Sequence, residues 1–566
     1  MTRAAALPPF VPPSPGSWEL EQTHMTRPIS VFMADIFPQP MMRGFRESMQ
    51  AYGALLDYLD IAIINRFIYI APRPVGAPKD AKGTPPRALF WVLQRVHPEL
   101  RRRIRRAEEG FRTRVWRQEL RWWDTEVKPA LAAEAAGLVK EDLCACSTPE
   151  LAAHVRRAAD FAGRTIYWHH RFNACVLVPI GDLLVHVMDW TAMPAEEILH
   201  AMRGLSPASA GAVQELTALG DALRADTDAL GLLQSSRGPA DILDELGRRP
   251  TPVAVALKAY LDVVGLRVLG GYDVADRHAR EHPELLVNVI RTALTRTDDD
   301  GRRAAAARAV AQIRGRVPEQ HRAQFDELLD EARLVYHLRD ERVFHGDALG
   351  IGVVRRAILG AGERLKAQGR VLDPEHLVDA TSVEIVAMLE DSGGPSAAEL
   401  AERARFRMET PLSAAPAELG NPRSAPPPHD WLPAPAARLQ RAVATVMQLA
   451  FDPKPPVASA SRQLKGFGVS PGTYEGPARV IRNVSELATV QQGEVLVAAS
   501  TGSTFNVVLP LIGAIVTERG GALSHAAIVA REYGLPGVVG CPGATSAITT
   551  GTRVKVDGAT GDVWIA

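Results

Sequence analysis

His525 is the residue in this chain best placed by its neighbours to do chemistry. It stands in the string AIVTERGGALSHAAIVAREYGLPGVVG, from Ala514 to Gly540. Gly520 and Gly521 supply a turn with freedom in φ, Ser524 occupies the position of a helix N-cap, and the alanines that follow suit a closely packed helix. His525 then falls in the first helical turn, where unpaired N–H groups and the positive end of the helix dipole favour an anion such as phosphate. An imidazole with an ordinary pKa of about 6.5 is largely neutral near pH 7, so one ring nitrogen keeps a lone pair that can attack phosphorus. Bare glycines beside it leave room for an in-line approach. The chemistry predicted is phosphoryl capture and release by His525, with Thr517, Gly520, Gly521 and Ser524 forming the phosphate loop.

Short β-branched runs separated by glycine must position that loop: Ala478 to Ile481, Val495 to Ala498, Ala514 to Thr517, Gly537 to Val539, Val554 to Val556 and Val563 to Ile565. They predict a compact α/β module after Leu464. Earlier the pattern is helical. Phe45, Met49, Tyr52, Leu55, Leu56 and Leu59 form one apolar stripe, and Phe325, Leu328, Leu329, Ala332, Val335 and Tyr336 form another. Further helices are expected over Glu99 to Trp123, Pro149 to Thr165, Ala212 to Leu232 and Val354 to Arg370, with a short strand or two around Arg66 to Ala71. Between them, residues 411–463 are crowded with proline, alanine and serine around one helix, Ala436 to Phe451. That composition suits a semi-rigid tether or an ordered crossover equally.

A chain of 566 residues exceeds one ordinary core, so several domains are expected. With 65 basic and 65 acidic residues, 46% hydrophobic and 23% charged, it reads as globular and gives no basic surface for nucleic acid. The arginines at 101, 102, 103, 105 and 106 are read as a solvated helical face. Four cysteines, Cys144, Cys146, Cys175 and Cys541, show no zinc or disulfide spacing, which fits a reducing cytoplasm. The proline-broken N-terminus lacks a secretion signal, and the run Val507 to Val516 is too short to span a bilayer, so no membrane contact is expected. No metal site is predicted; His169 and His170 are adjacent and point about 100° apart on a helix.

The string around His525, with the opening GFGVSPG (Gly466 to Gly472) and the closing hairpin VKVDGATGDVWI (Val554 to Ile565), resembles the swivelling phosphohistidine domain of the phosphoenolpyruvate-utilising enzyme family. That family includes phosphoenolpyruvate synthase, rifampicin phosphotransferase and phenylphosphate synthase. One departure is the segment STGSTFNVVLPL, Ser500 to Leu511, where relatives carry a tryptophan and Phe505 stands in. The resemblance implies a multidomain fold with a mostly α-helical N-terminal region and a C-terminal α/β swivelling domain. Its expected parts are a disordered or extended arm (1–17), a helical acceptor-binding region (18–410), the linker (411–463) and the swivelling domain (464–566).

The family's ATP-grasp and barrel domains have no counterpart in the pattern, no GxxxxGK loop occurs, and the chain stops directly after the module. The resemblance therefore implies ATP and Mg²⁺ bound by a separate ATP-grasp partner subunit, or an already phosphorylated small molecule as donor. More weakly, Trp18 to Pro28, Pro40 to Gly53 and Glu331 to Glu341 resemble the acceptor-binding region of rifampicin phosphotransferase. This implies a hydroxyl-bearing organic acceptor, or pyruvate. Trp18, Phe67, Tyr69, Trp168 and Trp190 are either pocket lining or core. A base for the hydroxyl is sought among His24, Asp340 and His345, and a phosphate partner among Arg333 and Arg339; salt bridges account for each of these equally well. Beside this enzyme reading stands a non-catalytic one, in which the module serves only as a docking or regulatory domain.

Overall fold

The computed structural model describes every residue except 1–6, 26, 82, 206–211, 270, 295–300, 423–424, 452–462, 483, 503–504 and 507. The start of the expected N-terminal arm, the end of the expected linker and parts of Ser500 to Leu511 thus lie outside the described residues. Two compact units share the chain. Unit 1 comprises 1–178, 272–275 and 345–443; unit 2 comprises 179–271, 276–344 and 444–566.

In unit 1 a four-stranded antiparallel sheet forms from β1 (Ser17–Leu20), β2 (Leu56–Ile64), β3 (Phe67–Pro74) and β4 (Glu418–Gly420), ordered β2-β3-β1-β4. The β2–β3 hairpin turns on Asn65 and Arg66, both at positive φ, as a two-residue turn matching strand twist requires. Leu55, Leu56 and Leu59 are therefore not part of the helical stripe: the helix Pro38–Tyr52 ends on Gly53 at φ +78°, and β2 begins three residues later. This helix is pinned by Ser48, whose hydroxyl accepts the Ala174 N–H at 2.9 Å. The arginine run also departs from expectation. Arg103 is fully buried and bound to Asp57, to Glu99 at 2.6 Å and to the Ala54 carbonyl at 2.6 Å, so one member of the supposed solvated face holds the helix Pro98–Thr113 to the rest of the unit.

Among the described residues one helical stretch, Thr148–Thr191, is long and apolar enough to cross a membrane by composition alone, a stretch that outruns Val507 to Val516. Within it 78% of the apolar window is buried inside the protein, as in a core helix.

Unit 2 joins helices from the middle of the chain to the C-terminal module. The module's eight-stranded sheet runs β5 (Gln463–Lys465), β12 (Asp562–Ile565), β11 (Arg553–Asp557), β7 (Thr473–Ile481), β8 (Val495–Ala498), β9 (Ala514–Thr517), β10 (Gly537–Val539) and β6 (Phe467–Ser470). The pairs β7–β8, β8–β9 and β9–β10 are parallel and the outer pairs antiparallel. Both faces of the central strands are covered, which explains why their sequences are continuous apolar runs without alternation. One face packs Val480, Val497, Val516, Val538 and Val556 together. The other contributes Leu496, Ile515 and Val539 to a core shared with Leu219, Leu257, Leu285 and Ile290 from helices of residues 213–293.

Candidate functional site

β9 ends at Thr517, whose hydroxyl donates to the Arg519 carbonyl at 2.8 Å and starts the turn toward Gly520. Gly520 lies at φ +105°, and a Cβ there would sit 2.7 Å from Ser524 Cβ, so the turn needs glycine on both counts. Ser524 caps the helix His525–Tyr533, its side chain accepting from the Ala527 N–H. Two guanidiniums grip the loop between these points. Buried Arg531, six residues further along the same helix, donates to the Ala522 carbonyl at 2.8 Å, and Arg339, from the helix Leu338–Arg342, donates to the Leu523 carbonyl. The backbone entering His525 is thus fixed from both sides.

The imidazole is held at both nitrogens. Nδ1 lies 3.1 Å from Thr501 Oγ1 and Nε2 lies 3.0 Å from Asn506 Oδ1. The residue as a whole is half-buried, and both ring nitrogens are engaged by Thr501 and Asn506. Its pKa is lowered to about 4, first by burial, which penalises the imidazolium; Asp340 opposes the shift and Arg339 adds to it. A neutral ring is consequently the resting state near pH 7. Nearby, Glu532 accepts the Gly204 N–H at 3.0 Å, and burial together with Asp340 pushes its carboxyl up to about 7. His200 is lowered to about 4 by burial and by the Arg531 and Arg203 charges.

Among the residues singled out from sequence, Thr517, Gly520, Gly521, Ser524, His525, Arg339 and Asp340 come together in unit 2. Arg333 belongs to that unit too, but its guanidinium is bound to the Ala201 carbonyl at 2.8 and 3.2 Å. Trp18, His24 and His345 belong to unit 1. Trp18 is 1% exposed, packed with Leu20, Phe67 and Tyr69, and its indole donates to the Ser14 carbonyl; it is core, not pocket lining. His24 Nδ1 pairs with Glu21 at 2.9 Å, and its ring meets Tyr272 edge-on at 5.1 Å. Burial works against its charge, but Glu21, with help from Asp347, raises its pKa overall. Asp347 also meets His169 Nδ1 at 2.6 Å, two residues from His345 in the turn Val343–Asp347. Thr501, Asn506, Arg531 and Glu532 were not assigned roles by type or spacing. The signal for the first two was present in polar residues breaking an apolar run after β8.

The structure thus sets a neutral histidine at a capped helix start, beside a glycine turn on a doubly covered sheet. Residues 490–561 match the mobile domain of PEP-utilising enzymes, and residues 181–340 match the rifampicin phosphotransferase fourth domain. The chain therefore carries a PEP-utilising mobile domain, joined in unit 2 to a segment of the rifampicin phosphotransferase type. It is similar to a rifampicin phosphotransferase of Streptomyces sp, 29% identical over 361 residues, covering 61% of this chain and 38% of that protein. An uncharacterized phosphotransferase of Bacillus subtilis is 30% identical over 43% of this chain and 27% of its own length. A probable phosphoenolpyruvate synthase of Pyrococcus abyssi is 41% identical over 124 residues, 22% of this chain and 15% of its own. The chain spans less than two fifths of the length of these relatives.

Proposed function

We propose that this chain is a cytoplasmic phosphotransferase subunit in which His525 carries a phosphoryl group from ATP, bound with Mg²⁺ by a separate ATP-grasp partner, to a hydroxyl-bearing organic acceptor or pyruvate. The observation that carries the reading is the neutral His525 ring at a helix N-terminus inside a segment that matches the mobile domain. In the first step a ring nitrogen attacks phosphorus, the N–P bond forms, and the donor's O–P bond breaks with its electron pair leaving on oxygen. The other nitrogen keeps its proton throughout. In the second step the acceptor oxygen attacks phosphorus, its proton passes to a base, and the N–P electron pair returns to the ring.

Asp340, whose charge is felt at His525, is our choice for that base, and Arg339, already at the loop, for the phosphoryl oxygens. Bound Mg²⁺ supplies charge neutralisation on the transferring phosphates. Around His525 the described partners offer one carboxylate, Asp340, besides a hydroxyl and an amide, too few hard oxygen ligands to hold the ion, which would therefore be held by the partner chain. The test is to incubate the full chain with labelled ATP and a purified ATP-grasp protein. An acid-labile, base-stable label on the wild type and none on His525→Ala is expected. Equal labelling of the two would overturn the reading.

A further inference from the structure

Arg267 is 8% exposed and stands in unit 2, just beyond the helix Pro252–Val264. Its backbone is fixed: its N–H donates to the Val264 carbonyl at 3.1 Å, and its carbonyl accepts the Ala279 N–H at 3.2 Å. From there the side chain reaches Phe344. Nε donates to the Phe344 carbonyl at 2.9 Å, and the guanidinium carbon lies 3.8 Å from the centroid of the Phe344 ring. Nη1 is buried and has no hydrogen-bond partner among the described residues. None of the described carboxylates pairs with this side chain either; Glu215, on the helix Val213–Arg224, acts on it through its field. Arg103, Arg355 and Arg407 are at least as deeply buried, yet each meets a carboxylate, of Asp57, Glu375 and Asp379 respectively. Burial lowers Arg267 to about 9, with Glu215 opposing, so the group is still charged near pH 7. A buried cation without a counter-charge is costly, and one aromatic face and one carbonyl offset that cost only in part. A water would satisfy Nη1 and leave the charge uncompensated. An anion would do both.

We propose that Arg267 is the anion-binding residue of the acceptor site, and that the acceptor is a hydroxyl-bearing carboxylic acid whose carboxylate this guanidinium takes. The inference rests on the function proposed above, because it names the class of molecule that receives the phosphoryl group. Asp340 and Phe344 stand four residues apart on continuous helical backbone, where Leu338–Arg342 runs into Val343–Asp347. They therefore share a face, with about 6 Å of rise between them. A small molecule held by its carboxylate at Arg267, against Phe344, can thus bring its hydroxyl to Asp340 and to the loop that Arg339 binds at Leu523. The fork of Nη1 and Nη2 matches the two oxygens of a carboxylate. One positive charge, with Glu215 in its field, favours a monoanion over a doubly charged phosphate.

The test follows the melting temperature of the full chain at constant ionic strength while benzoate, its uncharged counterpart benzamide, or inorganic phosphate is titrated in. Benzoate is expected to raise the wild-type midpoint progressively, as a ligand of the native state does, and benzamide is not. Arg267→Gln removes the charge and keeps an amide that can donate to the Phe344 carbonyl; Arg267→Met removes both. Each is expected to fold with an unliganded midpoint at or above that of the wild type, and to bind benzoate at least about tenfold more weakly. No benzoate shift in the wild type, or an equal shift in the wild type and both variants, would overturn the site. Unliganded midpoints well below the wild type in both variants would make Arg267 a structural anchor and overturn it as well. A larger shift with phosphate than with benzoate would overturn the carboxylate class. A benzoate shift in a chain whose His525 takes no label would leave the anion site standing and remove its acceptor role, whereas a labelled His525 without a benzoate shift would remove the site alone.

Discussion

His525 stands half-buried at the start of its helix, in surroundings enclosed enough to keep the imidazole uncharged. Because its folded pKa lies below the unfolded value of about 6.5, the stability it contributes is present in full above that value and is lost as pH falls toward 4. Thermal unfolding of the wild type should therefore weaken between those limits, and His525→Gln should flatten part of that slope. Gly520→Ala is a sharper probe of the loop. With φ at +105° and a Cβ placed against Ser524, it should cost about 1–3 kcal/mol and reduce phosphoryl labelling while leaving the strands intact, as read by denaturant melts and labelling together. Residue types and the family resemblance together singled out His525, Ser524 and the glycine pair, since each has a strong local reason to be where it is. They did not reveal Thr501 or Asn506, whose partner lies 24 and 19 residues further along the chain and is brought to them only by the β8–β9 pairing.

The helix His525–Tyr533 does more than present the imidazole. Its far end carries Arg531, bound back to the loop carbonyl of Ala522, and Glu532, bound to the backbone of Gly204. The Glu532 carboxyl is raised to about 7, so its contribution is complete below an unfolded value near 4.3 and is lost as pH rises through 7. Glu532→Gln keeps an acceptor for the Gly204 N–H without the charge. It should raise the melting temperature at pH 8 and change it little at pH 5. The strands of the module were readable as β-branched runs because burial on both faces removes any competing pattern. Leu55, Leu56 and Leu59 misled because leucines spaced by one and three residues fit a helical stripe, while the stop signal was the single residue Gly53. Arg103 misled for a different reason: a charge run describes composition, and only the neighbouring Asp57 and Glu99 decide which arginine turns inward.

Across the whole molecule, the helices matched to the rifampicin phosphotransferase fourth domain and the mobile domain share one apolar core in unit 2. Helical periodicity shows that a face must be covered but not by what, so this sharing was not legible beforehand. Leu285→Ala, on the helix Pro283–Ala293, should cost about 2–5 kcal/mol and lower amide-exchange protection in β8 and β9 as well as in its own helix. Protection lost in the helix alone would show two separate cores.

The chain passes between the two units after residues 178, 271, 275, 344 and 443, and the segment matched to the mobile domain is reached only by the last of these passages. Under the proposed function, a phosphorylated module that left its berth alone would strip oil-like surface from both itself and the helices it abandoned. Departure then becomes an uphill excursion that a second dock must reward, and the pace of delivery would be set by unberthing rather than by bond making.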